Sequence, residues 1–165
     1  MKLKSFEGKF YIDLIILLSI FLLDRISKIF VINYDKNISS EEIFSSKFLD
    51  IHLIWNKGIA FGLFSFDQGI LYDLFTAFIS LIVLIILYLT IKSKGVAKYA
   101  LLMILSGASG NLYDRIFYKA VPDFIDFHIG EFHWFIFNIS DIFISIGVII
   151  MIFLEILSKD KKKYE

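Results

Sequence analysis

Apolar residues in this chain run in long blocks, and four blocks reach the roughly 20 residues that a helix needs to cross a bilayer. They lie at about 10–32, 71–91, 96–113 and 137–157, and each is predicted to be a helix. Between the first two, over about 38–68, the period changes. The stretch "FLDIHLIWNKGIAFGLF" alternates apolar and polar residues briefly, then runs into Asn-Lys-Gly and further glycines. That pattern predicts a small β-structure lying on the membrane. Between the last two blocks, "VPDFIDFHIGEFHWF" is too apolar and aromatic for a free loop. It is predicted to lie at the membrane interface, where Trp134 and the phenylalanines suit an aromatic belt. The expectation is a single integral-membrane domain over residues 1–165. Its fold class is all-α, with four transmembrane helices and a small extracytoplasmic β-cradle.

Composition supports this picture. Hydrophobic residues make up 58% of the 165 residues, above the roughly 45–50% of soluble domains. The first block is too long for the apolar region of a cleavable signal peptide, and no small-x-small site follows it. The formal net charge is zero, so no electrostatic case for nucleic acid arises. With no cysteine, thiol nucleophiles, disulfides and zinc–thiolate sites are excluded. Lysines cluster before the first block (Lys2, Lys4, Lys9), between the second and third (Lys92, Lys94, Lys98) and after the fourth (Lys159, Lys161, Lys162, Lys163). Cytoplasmic flanks carry such excess. Both termini are therefore expected in the cytoplasm, with the two longer connections, about 33–70 and 114–136, outside.

On this topology the awkward polar residues converge near the outer surface: Asp24 and Lys28 in the first span, Asn111 and Asp114 at the end of the third, Asn138 and Asp141 at the start of the fourth. Ionisable groups inside spans are costly and are usually paired or functional. Asp24 and Lys28, four apart with the acid first, have the favourable order for an ion pair and suit a structural clamp. Asn111 and Asp114, like Asn138 and Asp141, are three apart, so each pair shares one helix face. An Asn there can donate to its Asp and fix the carboxylate. Asn138 also suits an N-cap, which leaves Asp141 unexplained. Gly107 and Gly110 suit close helix packing in lipid. Arg115 suits a headgroup anchor or a partner for Asp114. The aromatic connection, carrying Asp123 and Asp126, can deliver a carboxylate toward Asp141.

Two carboxylates in a poorly hydrated site share one proton and titrate as a pair. The charged member can activate water while the neutral one polarises or protonates a carbonyl. That is aspartic-protease chemistry, needing neither metal nor cofactor, and none is expected. His128, Glu131 and His133 have the spacing His-x-x-Glu-x-His, which is not the zinc-protease pattern. Ser27 and Lys28 are adjacent on a helix and point apart, against a Ser-Lys dyad. The alternative from another class is a small transporter or channel using the same acids. A conduction path needs polar groups at several depths, whereas these gather in one leaflet. On the residues alone, Asp114 and Asp123 stand equal as the partner of Asp141.

Five segments in order resemble the motifs of the lipoprotein signal peptidase (signal peptidase II) family. Asp24-Arg-Ile-Ser-Lys28 is similar to its Asp-x-x-x-Lys, and Asn56-Lys-Gly58-Ile-Ala60-Phe61 to its Asn-x-Gly-x-Ala-Phe. Gly107-Ala-Ser-Gly110-Asn111-Leu-Tyr-Asp114-Arg115 resembles Gly-Gly-x-x-Gly-Asn-x-x-Asp-Arg. Val121-Pro-Asp123-Phe124 resembles Val-x-Asp-Phe, and Phe137-Asn138-Ile-Ser-Asp141 resembles Phe-Asn-x-Ala-Asp. The resemblance implies a catalytic dyad of Asp123 and Asp141, supported by Asp24, Lys28, Asn56, Gly58, Asn111, Asp114, Arg115 and Asn138. It implies diacylglyceryl-modified prolipoproteins as substrates, cut just before the modified cysteine, at the outer face of a bacterial cytoplasmic membrane. Globomycin-type peptides are the expected inhibitors, membrane lipids the expected surroundings, and a monomer the expected state. Three positions depart from the pattern. Ser106 stands for the first glycine, Pro122 precedes Asp123 and stiffens its approach, and Ser140 adds a hydroxyl beside Asp141.

Overall fold

A computed structural model describes residues 2–38, 43–58 and 69–163. In chain order it contains α1 (Lys2–Ile38), β1 (Phe44–Ser45), β2 (Leu49–Asn56), α2 (Ile70–Lys92), α3 (Gly95–Tyr118), β3 (Val121–Ile129), β4 (Phe132–Phe137) and α4 (Ile139–Lys163). All four apolar blocks are helical, the fourth from Ile139 onward because Phe137 ends β4. α2 and residues Ile139–Ser158 of α4 are long and apolar enough to cross a membrane. α1 and α3 carry the charged residues instead.

The packing inverts the soluble pattern. Leu14, Leu18, Leu22, Ile26, Leu74, Phe78, Leu81 and Leu84 face outward, whereas Asp24, Lys28, Asp114 and Asn138 are wholly buried. Apolar surface outside and a charged core inside suit a lipid solvent, which leaves apolar side chains without a drive inward. Paired residues fix the helix directions. Lys98 of α3 pairs with Asp13 of α1, and further along Lys28 meets Asp114 at 2.7 Å, so α1 and α3 run parallel. Lys119, one residue past α3, meets Asp73 in the first turn of α2 at 2.7 Å. α2 thus runs back along α3.

α4 also runs antiparallel to α3 and lies very close to it. A Cβ on Gly107 would stand 2.5 Å from the Ser140 carbonyl oxygen, and one on Gly110 would stand 2.5 Å from Ser140 Oγ and 2.7 Å from Asp24 Oδ2. The glycines therefore set the distance between helices, as small residues do in lipid. Gly110→Ala is expected to cost about 1–3 kcal/mol by overpacking, read as a lower Tm in detergent. Unchanged stability would contradict this packing.

The sheet is antiparallel, in the order β1-β2-β3-β4. It draws on both connections, which corrects the expectation of β-structure in the first alone. Of the expected β-region at 38–68, residues 39–42 and 59–68, including Ala60 and Phe61, lie outside the described residues. β3 and β4 form a hairpin closed by Gly130-Glu131, with Gly130 at φ 59°, a conformation glycine adopts without penalty. Apolar residues on both faces of β3 and β4 hid the two-residue period of these strands. Pro122 pairs with Trp55 of β2, and pairing to β4 begins only at Ile125. A residue lacking an N–H is tolerated where one side of the strand has no partner.

Candidate active site

The charged core sits where α1, α3 and α4 meet. Arg25 grips Asp114 with two hydrogen bonds, Nη1 to Oδ1 at 2.6 Å and Nη2 to Oδ2 at 2.8 Å. It also reaches Asp24 Oδ2 at 2.7 Å. Lys28 Nζ lies 2.9 Å from Asp24 Oδ1 and 2.7 Å from Asp114 Oδ2, and donates to Asn111 Oδ1 at 2.8 Å. The expected Asp24–Lys28 pair is present as half of a four-membered network of two acids and two cations. Such closure is what makes buried charge tolerable. Asp24 Oδ1 accepts the Ser140 backbone N–H at 3.1 Å, tying α4 into the same network.

Arg25 was not singled out from the sequence. The available signal was a second cation inside the first span, next to Asp24. Arg115 departs from both of its expected roles. It is buried, lies over the Phe75 ring, and donates from Nη2 to the Gly58 carbonyl at 2.9 Å. Asp114 belongs to Arg25 and Lys28 instead. The Ser140 hydroxyl has no hydrogen-bond partner among the described residues; it packs against Gly110 and does not bond Asp141.

A second layer sits between this network and the sheet. Asn138 caps α4. Its Oδ1 accepts the Asp141 N–H at 3.3 Å and its own N–H donates to Asp141 Oδ2 at 3.1 Å, a reciprocal capping box. The N-cap expectation therefore holds, and Asp141 is explained as its third-position partner. The Asn side chains also bond between elements. Asn111 Nδ2 of α3 donates to Asp141 Oδ1 at 2.8 Å, and Asn138 Nδ2 donates to Asp123 Oδ1 of β3 at 2.6 Å. Spacing along one helix had suggested that each Asn serves the Asp three residues on. That is true of Asn138 through its backbone, whereas Asn111 leaves Asp114 and serves α4.

Asn56 of β2 completes the arrangement by donating to Asp123 Oδ2 at 2.8 Å. Its own Oδ1 accepts the Gly58 N–H at 2.9 Å. Arg115 thus holds Gly58, Gly58 orients Asn56, and Asn56 orients Asp123. In parallel, Lys28 holds Asn111, which orients Asp141. Each of the four carboxylate oxygens of Asp123 and Asp141 accepts one amide N–H. Asn138 bridges the two acids.

Burial first, and the Asp141 charge second, push the Asp123 carboxyl from 3.8 up to about 6, against the pull of Asn56, Asn138 and Lys28. The folded state therefore holds a proton that the unfolded chain has lost between pH 3.8 and about 6. Stability falls as pH rises through that window. At about 1.4 kcal/mol per unit, the full effect is about 3 kcal/mol. Thermal melts at pH 4 to 8 are expected to show wild type losing Tm relative to Asp123→Asn up to about pH 6, then a constant gap. Parallel curves would contradict the burial of this acid.

The comparisons with known proteins agree on one family. A family model described as signal peptidase (SPase) II matches residues 16–157. A lipoprotein signal peptidase of Pelagibacter ubique is 46% identical over 156 residues, covering 94% of each chain. One from Anaplasma phagocytophilum is 36% identical over 155 residues, covering 93% of this chain and 97% of its own. A solved structure of a bacterial membrane enzyme superposes with a TM-score of 0.70 at 26% identity, covering 93% of this chain and 91% of that one. By matches of this extent, the chain belongs to the signal peptidase II family, a family of membrane-bound proteases.

Proposed function

We propose that this protein is an aspartic endopeptidase that removes signal peptides from prolipoproteins, cutting on the N-terminal side of a diacylglyceryl-modified cysteine, with Asp123 and Asp141 as its catalytic pair. The observation that carries this reading is the Asn138 bridge between the two acids, with Asn56 and Asn111 fixing their outer sides. Asp114, the other candidate, has both carboxylate oxygens engaged by Arg25 and Lys28, which suits a structural clamp.

The chemistry follows from the pair. With one proton between the two acids, the ionised carboxylate takes a proton from water as it attacks the scissile carbonyl. The protonated one donates to the carbonyl oxygen. The tetrahedral intermediate collapses when the cysteine's amine leaves with a proton from the pair. The three Asn side chains keep both carboxylates in position before substrate arrives, which lowers the reorganisation needed in the transition state. Asp24, Lys28, Arg25, Asp114, Arg115 and Gly58 act one step back as positioning residues.

All four helices span the membrane in this reading, over about 10–32, 71–91, 96–113 and 137–157, as one domain. Lysine placement supports both termini on the cytoplasmic side of a bacterial inner membrane, with the sheet outside. The exposed face of the β3–β4 hairpin, with Phe127, Ile129, Phe132 and Trp134, suits the interface where a lipid-anchored cysteine keeps its scissile bond. The chain acts as a monomer, and globomycin-type peptides inhibit it. Gathering of the acids at one end of the bundle disfavours a transporter. Mass spectrometry of products from lipid-modified and unmodified prolipoprotein tests the reading. Cleavage of the modified substrate alone, just before its cysteine, is expected. Equal cleavage of both, or a cut elsewhere, would overturn the substrate assignment.

A further inference from the structure

The mechanism leaves one titratable cluster unused. His128 and His133 are cross-strand partners in the β3–β4 hairpin, with their rings stacked at 5.0 Å. His133 Nδ1 is 2.7 Å from Asp126 Oδ2, and His128 Nδ1 is 3.5 Å from Asp50 Oδ2 on β2. Glu131, which sequence spacing had grouped with the histidines, sits at the hairpin turn and is replaced by Asp126.

Three features of this cluster call for a reason beyond the His128–Asp50 and His133–Asp126 contacts. Asp50 and Asp126 stand directly opposite each other across β2 and β3, and like charges at such positions destabilise a sheet. The Asp126 side chain is only 4% exposed, yet its Oδ1 has no hydrogen-bond partner among the described residues; neither does His128 Nδ1. Buried polar atoms without partners are rare enough to call for a reason.

We propose that Asp126, His128 and His133 bind a divalent first-row transition-metal ion of the zinc or copper class, with Asp50 beside it as a neutralising carboxylate. Each of the three residues offers one ligand atom, and these atoms lie within 4.8 Å of one another. Ligands on a tetrahedral zinc with bonds of about 2.0–2.2 Å stand about 3.3 Å apart, so small side-chain rotations close the site. Two imidazoles and a carboxylate suit zinc, copper or nickel better than magnesium or calcium. His133 is about half exposed and provides the way in. The ion would satisfy Asp126 Oδ1, offset the Asp50–Asp126 repulsion and join β3 to β4. β3 also carries Asp123, so the ion would stiffen the strand that presents that acid. The inference is independent of the peptidase reading, because it concerns other residues and a different readout.

The test is metal binding by tag-free, full-length protein in detergent, titrated with Co2+ and Zn2+ against a chromophoric chelator. One ion per chain is expected, saturating below millimolar metal and raising Tm. His128→Ala and Asp126→Asn should each weaken binding by about 10–100-fold or more, whereas Asp123→Asn should bind normally. Cu2+ electron paramagnetic resonance on the wild type is expected to show two nitrogen ligands, which keeps the test decisive if a variant fails to fold. Absence of binding at millimolar metal, one nitrogen or none, or binding lost in Asp123→Asn but kept in His128→Ala would overturn the site.

Discussion

Asp114→Ala is expected to lower stability by about 3–5 kcal/mol, the usual cost of stranding buried charge. Three charged contacts vanish at once, two from Arg25 and one from Lys28. The remaining core holds two cations against Asp24 alone. Lys28 is wholly buried, so the excess charge is poorly screened. The double variant Arg25→Met/Asp114→Leu removes one charge of each sign and should recover part of the loss, because paired removal avoids the desolvated orphan. Thermal melts in one detergent measure both. A double variant less stable than Asp114→Ala would contradict the charge-balance account. Cleavage should weaken alongside stability in Asp114→Ala, since Lys28 also holds the Asn111 side chain that positions Asp141.

The larger kinetic effect belongs to the acids themselves. Asp123→Asn and Asp141→Asn are each expected to reduce kcat by about 10²–10⁴-fold or more, the range for losing a general acid or base. Asn keeps the shape and one of the two accepted hydrogen bonds but cannot exchange a proton. If the two acids work as the proposed unit, the double variant should be little worse than either single one. Additive losses would mean that the acids act independently. Asn138→Ala tests the bridge between them. It removes the Asp123 contact and the side-chain half of the α4 cap. A reduced kcat with a shifted pH profile is expected, where a purely structural role would lower Tm alone.

Much of the fold was legible because lipid simplifies the pattern. Long apolar blocks become helices, and all four were visible. Their ends were less so. α1 extends to Lys2–Ile38 and α4 to Lys163, because backbone hydrogen bonding continues into water after hydropathy has ended. The hairpin was hidden for a different reason. Leu49 pairs with Phe127, residues far apart in the chain, and a strand with apolar residues on both faces shows no alternation. For the site, spacing revealed which residues share a helix face but not how each helix is rotated against its neighbours. Asp24 and Lys28 were readable as a pair because both lie on one helix. The contacts of Arg25 with Asp114, of Asn111 with Asp141 and of Arg115 with Gly58 each join two elements, and packing alone sets them. The family resemblance, rather than the physics of the residues, favoured Asp123 over Asp114. The proposed role of Asp123 draws on one physical difference: Asp114 is paired with cations, and Asp123 is held by neutral amides.

That distinction is the central claim, and single-turnover cleavage of a lipid-modified prolipoprotein tests it most directly. The comparison is between Asp123→Asn and Asp114→Asn, each reconstituted in lipid and matched for folded fraction. Loss of cleavage in Asp123→Asn with measurable cleavage in Asp114→Asn is the predicted result. Cleavage at the wild-type rate by Asp123→Asn would contradict the account, and a silent Asp114→Asn beside it would make Asp114 the partner of Asp141.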